Sequence, residues 1–270
     1  MTHDVPQIDT SVAHPARRYD YWLGGKDNFA ADRDSADAIQ ADYPSIRIAA
    51  LENRGFLRRA VRKLAGEAGI RQFLDIGTGL PTADNTHDVA QRIAPDSRIV
   101  YVDNDPLVMA HARALLTSHP EGRTNYIQAD LREPQTILDD PRLREILNLK
   151  QPVALLLVAV LHFVRDDEQA YTVVRDLLGQ LAPGSYLVAS HATGDFLDAP
   201  TRDQLSRHDF VLRDRDQFAQ FFTGLELIEP GISPITLWRP DSDTIVAPEQ
   251  ASIYGALARV AGPATGRRAG

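Results

Sequence analysis

Apolar residues recur at three- and four-residue spacing through Leu57, Ala60, Val61, Leu64, Ala65 and Ala68, a single stripe that predicts a long helix from Ile46 to about Ala68, stopped by Gly69. The period then changes. Short apolar runs at Arg71–Ile76, Arg98–Asp103, Thr124–Ala129, Val153–Val160 and Ser185–Ser190 read as strands. Helices are predicted between them, to about Ala94, at Pro106–Leu116, near Asp140–Leu149 and at Asp166–Leu181. The run VALLLVAV is apolar throughout, as suits a strand buried on both faces. Such alternation across short loops predicts a parallel sheet covered on both sides. Ahead of the long helix, Pro15–Leu23 and Asp32–Gln40 read as short helices, with Gly24 stopping the first, and residues 1–13 read as a loose arm. Beyond the fifth strand the pattern weakens. Asp214–Phe222 reads as helix, Leu225–Glu229 and Ile253–Val260 as strands, and the Pro-rich stretch between these two as loop.

Composition narrows the function. The 270 residues suit one large domain, or one with an appendage. A net charge of −8 argues against a general nucleic-acid or anionic-membrane surface. With no cysteine in the chain, disulfides, thiol catalysis and zinc–thiolate sites are excluded. No apolar run approaches the roughly 20 residues of a membrane span, and the first residues lack the apolar core of a signal peptide, so a cytoplasmic location is expected.

Three motifs carry the candidate chemistry. In FLDIGTGLPT an apolar strand ends in Asp75, and Gly77 and Gly79 form the turn into a helix. Glycines there let the backbone approach a ligand closely. The third glycine of a dinucleotide fingerprint is replaced by Thr82, and the Gly-Lys-Ser/Thr ending of a P-loop is absent. The alternative is a tight strand–helix turn with no ligand. In VYVDNDP, Asp103 ends the second strand, where an acid accepts hydrogen bonds from ribose hydroxyls; Asp105 reads as a cap of the next helix, with Pro106 at its first position. In YIQADL, Asp130 ends the third strand, placed either to accept from an adenine amino group or to cap a turn. Three acids on the same edge of a parallel sheet mark the edge where ligands bind in open α/β sheets.

The order DxGxG, acid after the second strand, then AD after the third resembles class I S-adenosylmethionine (SAM)-dependent methyltransferases. Together with RRYDYWLGGKDNFAADR, ENRGFLRRAV and LLLVAVLHFV, these motifs resemble a bacterial family of such enzymes whose substrates are largely uncharacterised. The match is good over Ser11–Gly194 and weaker beyond. The resemblance implies an α/β, Rossmann-like fold with a seven-stranded, mostly parallel sheet whose antiparallel last strand is Ile253–Val260. It also implies an N-terminal arm and helical lid over residues 1–45 ahead of the methyltransferase domain at 46–270. It extends the cofactor set to Thr78, Asn104, Leu131 and Ala159, beside the motifs above.

In such folds the segment before the first strand often closes over the cofactor. Tyr19, Tyr21 and Trp22 offer aromatic faces to a sulfonium cation, and Gly25 and Lys26 offer an N–H and an ammonium to the methionine carboxylate. The alternative is that the aromatics anchor a short helix. His162 and His191 follow the fourth and fifth strands, neighbours in the usual class I order, and are the candidate general bases; either also suits a turn cap. No tight ligand spacing supports a metal site built from them with Asp166 or Asp167, and none is expected. The leading expectation is methyl transfer from SAM to a small-molecule acceptor. One alternative is a SAM- or nucleoside-binding module without turnover, since no acceptor motif is visible at LLLVAVLHFV; the other is a nucleotide-dependent oxidoreductase, against which the missing third glycine counts.

Overall fold

The computed structural model describes residues 8–115, 117–243 and 245–262. Three helices lead: α1 (Pro15–Trp22), α2 (Ala30–Asp42) and α3 (Ile46–Gly66). Then follow β1 (Gln72–Ile76), α4 (Thr86–Ile93), β2 (Arg98–Asp103), α5 (Pro106–Leu115), β3 (Arg123–Gln128), α6 (Pro134–Leu138), α7 (Pro141–Ile146), β4 (Ala154–Val158), α8 (Asp167–Leu178) and β5 (Tyr186–Ala192). The last third holds α9 (Ala199–Leu205), α10 (Arg215–Ala219), β6 (Glu226–Leu227), β7 (Ser233–Pro234), α11 (Pro248–Ala251) and β8 (Ile253–Arg259). Residues 1–7 of the expected arm, and Leu116 of the expected helix, lie outside the described residues.

The sheet runs β3-β2-β1-β4-β5-β8-β6, with β1 to β5 parallel and β8 antiparallel beside β5. Among the described residues it has eight strands where seven were expected: the strand expected at Leu225–Glu229 is the short β6, and the eighth, β7, pairs with β8 from the stretch expected as loop. Pro230 lacks the N–H a ladder needs, so the chain leaves β8 after Ile228 and returns at Ser233. The Pro-rich stretch read as loop supplies β7 and α11, and α9 went unread.

Alternating strand residues feed two cores. Phe73, Tyr101, Leu156, Val188 and Leu257 pack with Phe56, Leu64 and Trp238 on the α3 face. Leu74, Val100, Leu155 and Leu187 pack with Val173, Leu177, Phe218 and Phe222 on the α8 face. The stripe on α3 is the buried one, and its end is sealed by the Ile70 N–H bonding back to the Leu64 carbonyl across Gly69 at φ +69. The strand order reverses at β1, where β2 lies on one side and β4 on the other. That switch point opens a crevice at the strand C-termini. α1 packs on α2 and α3 beside it. Among the described residues no helix is long and apolar enough to cross a membrane.

Candidate active site

A cavity of about 470 Å³ lies at the C-terminal ends of β1, β2, β3 and β4, of a size that holds small-molecule cofactors. Of the residues expected to bind a cofactor, Tyr19, Asp75, Gly77, Thr78, Gly79, Asp103, Asn104, Asp130, Leu131 and Ala159 line it together.

The turn after β1 is shaped by what abuts it. Gly77 has φ +76, and a Cβ there would lie 2.4 Å from Val160 Cγ2, so the position admits no side chain. The Gly77 and Thr78 N–H groups donate to the Val102 carbonyl at 2.8 and 3.3 Å, and the Gly79 N–H donates to Asp103 Oδ2 at 2.8 Å. The turn is thereby folded over the end of β2. Asp103 Oδ1 accepts the Asp105 N–H at 3.0 Å. Each Asp103 oxygen therefore retains one free lone pair for a ligand hydroxyl. Burial raises the Asp103 pKa above the ordinary carboxylate value, against these two backbone hydrogen bonds.

Asp75 is buried and takes the Thr86 hydroxyl on Oδ2 at 2.6 Å. Burial pushes its carboxyl up to about 6. Asp130 is the opposite case. Its oxygens accept the Arg132 backbone N–H, Nε and Nη2 at 2.8, 2.9 and 2.5 Å, and Asn104 Nδ2 at 3.1 Å. The Arg132 guanidinium holds it down at about 2. These four donors use the acceptor capacity of the carboxylate, so the adenine partner read at Asp130 is free only after Arg132 swings aside.

The opening segment divides. Tyr19 faces the cavity, as do His14, Pro15 and Ala16, but Tyr21, Gly25 and Lys26 do not. Tyr21 lies under the Arg47 guanidinium, 4.7 Å from ring centroid to cation. Gly24, at φ +84, ends α1 as expected. The next turn wraps Asp20, which accepts the Asp27 N–H and Asn28 Nδ2 at 3.0 and 2.8 Å. Gly25 is glycine because a Cβ would lie 1.9 Å from Asp20 Oδ1. Lys26 points to solvent.

A buried chain of hydrogen bonds fixes Tyr19. Its hydroxyl donates to the Ala50 carbonyl and accepts from Asn53 Nδ2 at 2.9 and 3.1 Å. Asn53 Oδ1 accepts from Ser190 Oγ at 2.6 Å, and Ser190 Oγ accepts the Ala159 N–H at 3.0 Å. Ala159 sits at φ +55, a conformation disfavoured for alanine and held by this bond at the end of β4. Beside Asn53, Arg54 lines the cavity, and among the described residues its side chain hydrogen-bonds to the Ala83 and Asp84 carbonyls alone, at 3.3 and 3.2 Å. Sequence reading missed His14, Asn53 and Arg54; the last two lie in ENRGFLRRAV, part of the recognised pattern.

The two histidines meet, their ring centroids 5.6 Å apart, but outside this cavity. His191 is fully committed: Arg213 Nη1 donates to its Nε2 at 2.8 Å, so Nδ1 carries the proton and donates to the Ala192 carbonyl at 2.7 Å. The general-base reading of His191 is corrected by this geometry, which leaves no lone pair for a substrate. His162 lines a second cavity of about 80 Å³ that shares Pro15, Tyr19, Ala159 and Phe163 with the first. Burial holds its imidazole down at about 3. Among the described residues no group of three or more His, Asp or Glu side chains is placed to hold a metal ion.

A family model for S-adenosyl methyltransferases matches residues 1–261. The chain belongs to that family. The methyltransferase is similar to a DUF574 family protein from Streptomyces avermitilis MA-4680, 46% identical over 94% of this chain and 99% of that one, with a TM-score of 0.89. It is also similar to a candidate methyltransferase from Thermobifida fusca YX, 39% identical over 97% and 100% of the two chains, with a TM-score of 0.87. An O-methyltransferase family protein from Burkholderia thailandensis, 17% identical over 80% of this chain and 58% of that one, shares the fold at a TM-score of 0.51. No curated protein matches the chain. The enzyme is a SAM-dependent methyltransferase of class I fold, and its cavity suits the cofactor in kind: acids at three strand ends, an arginine beside them, and a glycine turn with no room for a side chain.

Proposed function

We propose that the enzyme methylates a neutral small molecule in the cytoplasm, with the N-terminal segment ahead of α3 serving as a lid over SAM. The observation that carries this is the convergence of Asp75, Asp103 and Asp130 from three neighbouring strands, with α1 across from them, on one cavity. Bound SAM supplies an electrophilic methyl carbon on a sulfonium sulfur. Asp103 is assigned to the ribose hydroxyls through its two free lone pairs, and Leu131 and Asn104 to the adenine, with Asp130 joining when Arg132 yields. Asp75 is assigned to the ammonium and Arg54 to the carboxylate of the methionine end. Tyr19, locked by Asn53 and Ala50, gives the cavity an aromatic wall. The chain's part is alignment of the acceptor and exclusion of water. A net charge of −8 supports a small acceptor over nucleic acid. The test is to incubate the full chain with methyl-labelled SAM and a whole bacterial lysate that holds small molecules, nucleic acid and protein alike. Label is expected in a low-molecular-weight product with stoichiometric S-adenosylhomocysteine (SAH); label appearing only in nucleic acid or protein overturns the reading.

A further inference from the structure

The second cavity is the strongest unassigned feature of the molecule. It adjoins the first, the two sharing Tyr19, Ala159 and Phe163 as lining, the adjacency that methyl transfer between them requires. Its walls are mostly apolar, formed by residues such as Ile46, Leu197, Phe210 and Ile253. Nearly every polar tip in it is already bonded to protein. Tyr43 donates to the Glu249 carbonyl at 2.9 Å, Trp22 to that of Ala36 at 3.3 Å and Ser252 to that of Thr193 at 2.7 Å. Two groups are left over. Among the described residues, His162 Nδ1 is buried without a hydrogen-bond partner, and Arg18 Nε is likewise buried and unpartnered. Buried polar atoms are ordinarily paired, so unpaired ones on a cavity wall mark a place for a ligand.

We propose that this second cavity seats the methyl acceptor, and that the acceptor is a small neutral alcohol or phenol whose hydroxyl donates to the His162 imidazole. The inference rests on the first cavity being the SAM site. The charges settle the class. An ammonium would lie beside the Arg18 guanidinium. A carboxylate would find that guanidinium already held by Asp209, at 2.8 and 2.7 Å, within otherwise apolar walls. A hydroxyl donates to the neutral imidazole and can accept from an N–H such as Arg18 Nε, which suits both leftover groups. A cavity of about 80 Å³, roughly half the size that encloses benzene, admits a short chain, or a ring that reaches across the shared boundary into the first cavity, and not a nucleotide.

The probes are phenol and benzene, titrated into the full chain saturated with SAH, read by calorimetry and by the ring nitrogen resonances of His162. Phenol is expected to bind more tightly than benzene and to shift those resonances. His162→Phe should weaken phenol about tenfold and leave benzene unchanged, whereas His162→Gln, which keeps an acceptor, should retain phenol. Ala49→Leu and Ala251→Leu, each narrowing the cavity from a different helix, should weaken both probes while SAH affinity is kept. If SAH binds normally but phenol neither moves the His162 resonances nor responds to the filling variants, the acceptor assignment is overturned and the cofactor reading stands. If SAH does not bind at all, the cofactor reading falls and this inference with it.

Discussion

Arg17 and Asp105 form a forked ion pair inside the protein, Nε to Oδ2 and Nη2 to Oδ1 both at 2.8 Å, with Arg17 nearly and Asp105 wholly buried. The pair ties α1 to the turn after β2, and Asp105 also caps α5 by accepting the Leu107 N–H at 2.9 Å. This bond keeps the N-terminal segment against the cavity. Breaking such a pair from one side leaves a buried charge alone, at a cost of about 3–5 kcal/mol. Arg17→Met should lower stability by that amount in urea unfolding and weaken SAH binding, and Arg17→Met combined with Asp105→Leu should recover part of the stability. A single variant within about 0.5 kcal/mol of the parent would show that the pair is not what holds α1.

Gly77→Ala tests the turn. The substitution forces alanine to φ +76 and drives a methyl group into Val160. Destabilisation of about 1–3 kcal/mol is expected, with SAH affinity reduced. Gly79 has φ +68 but open space around it, so Gly79→Ala should cost less, about 1 kcal/mol, in the same thermal measurement.

The pattern of periods gave away β1 to β5 and the three strand-end acids, because strands of five to seven residues with buried centres leave short apolar runs between helix-period segments. The two-residue strands β6 and β7 are too short to show any period. The site was legible where its residues sit at strand ends, since the topology puts those ends together. It was illegible where direction is set by docking. Gly25 and Lys26 have the chemistry of an anion site, yet Asp20 draws their turn away from the cavity, whereas Asn53 and Arg54 look like two ordinary helix residues until α3 packs against the sheet. His191 lost its candidacy to Arg213, a partner 22 residues away in the loop before α10.

Asp75 sets a pH dependence. Its folded pKa of about 6 lies above the ordinary 3.8, so its protonation favours the folded state fully below about pH 4, and that contribution is lost as pH rises through about 6. Asp75→Asn should therefore stabilise the enzyme without ligand at pH 7.5, by up to about 3 kcal/mol, and have little effect at pH 4. Binding runs the other way, because an ammonium needs the ionised carboxylate. SAH affinity should fall between pH 7.5 and pH 5 in calorimetry, and Asp75→Asn should bind weakly with a flat profile. A parent enzyme with equal affinity at both pH values would remove Asp75 from the ammonium.

Arg54 is assigned to one end of the cofactor only. Arg54→Ala should weaken SAH about tenfold to hundredfold, the worth of a charge-assisted hydrogen bond. Methylthioadenosine keeps the nucleoside and lacks the amino-acid end, so its affinity should be unchanged. Equal losses for both ligands would mean that Arg54 shapes the cavity without touching the carboxylate.

The central claim is that the crevice at the ends of β1, β2, β3 and β4 holds SAM, and calorimetry with SAH and NAD on the parent chain and on Asp103→Ala tests it most directly. The parent should bind one SAH per chain and no NAD, and Asp103→Ala should remain folded with SAH weakened about tenfold to hundredfold. NAD binding at micromolar strength with no SAH binding, or SAH binding unchanged by Asp103→Ala, would contradict the account.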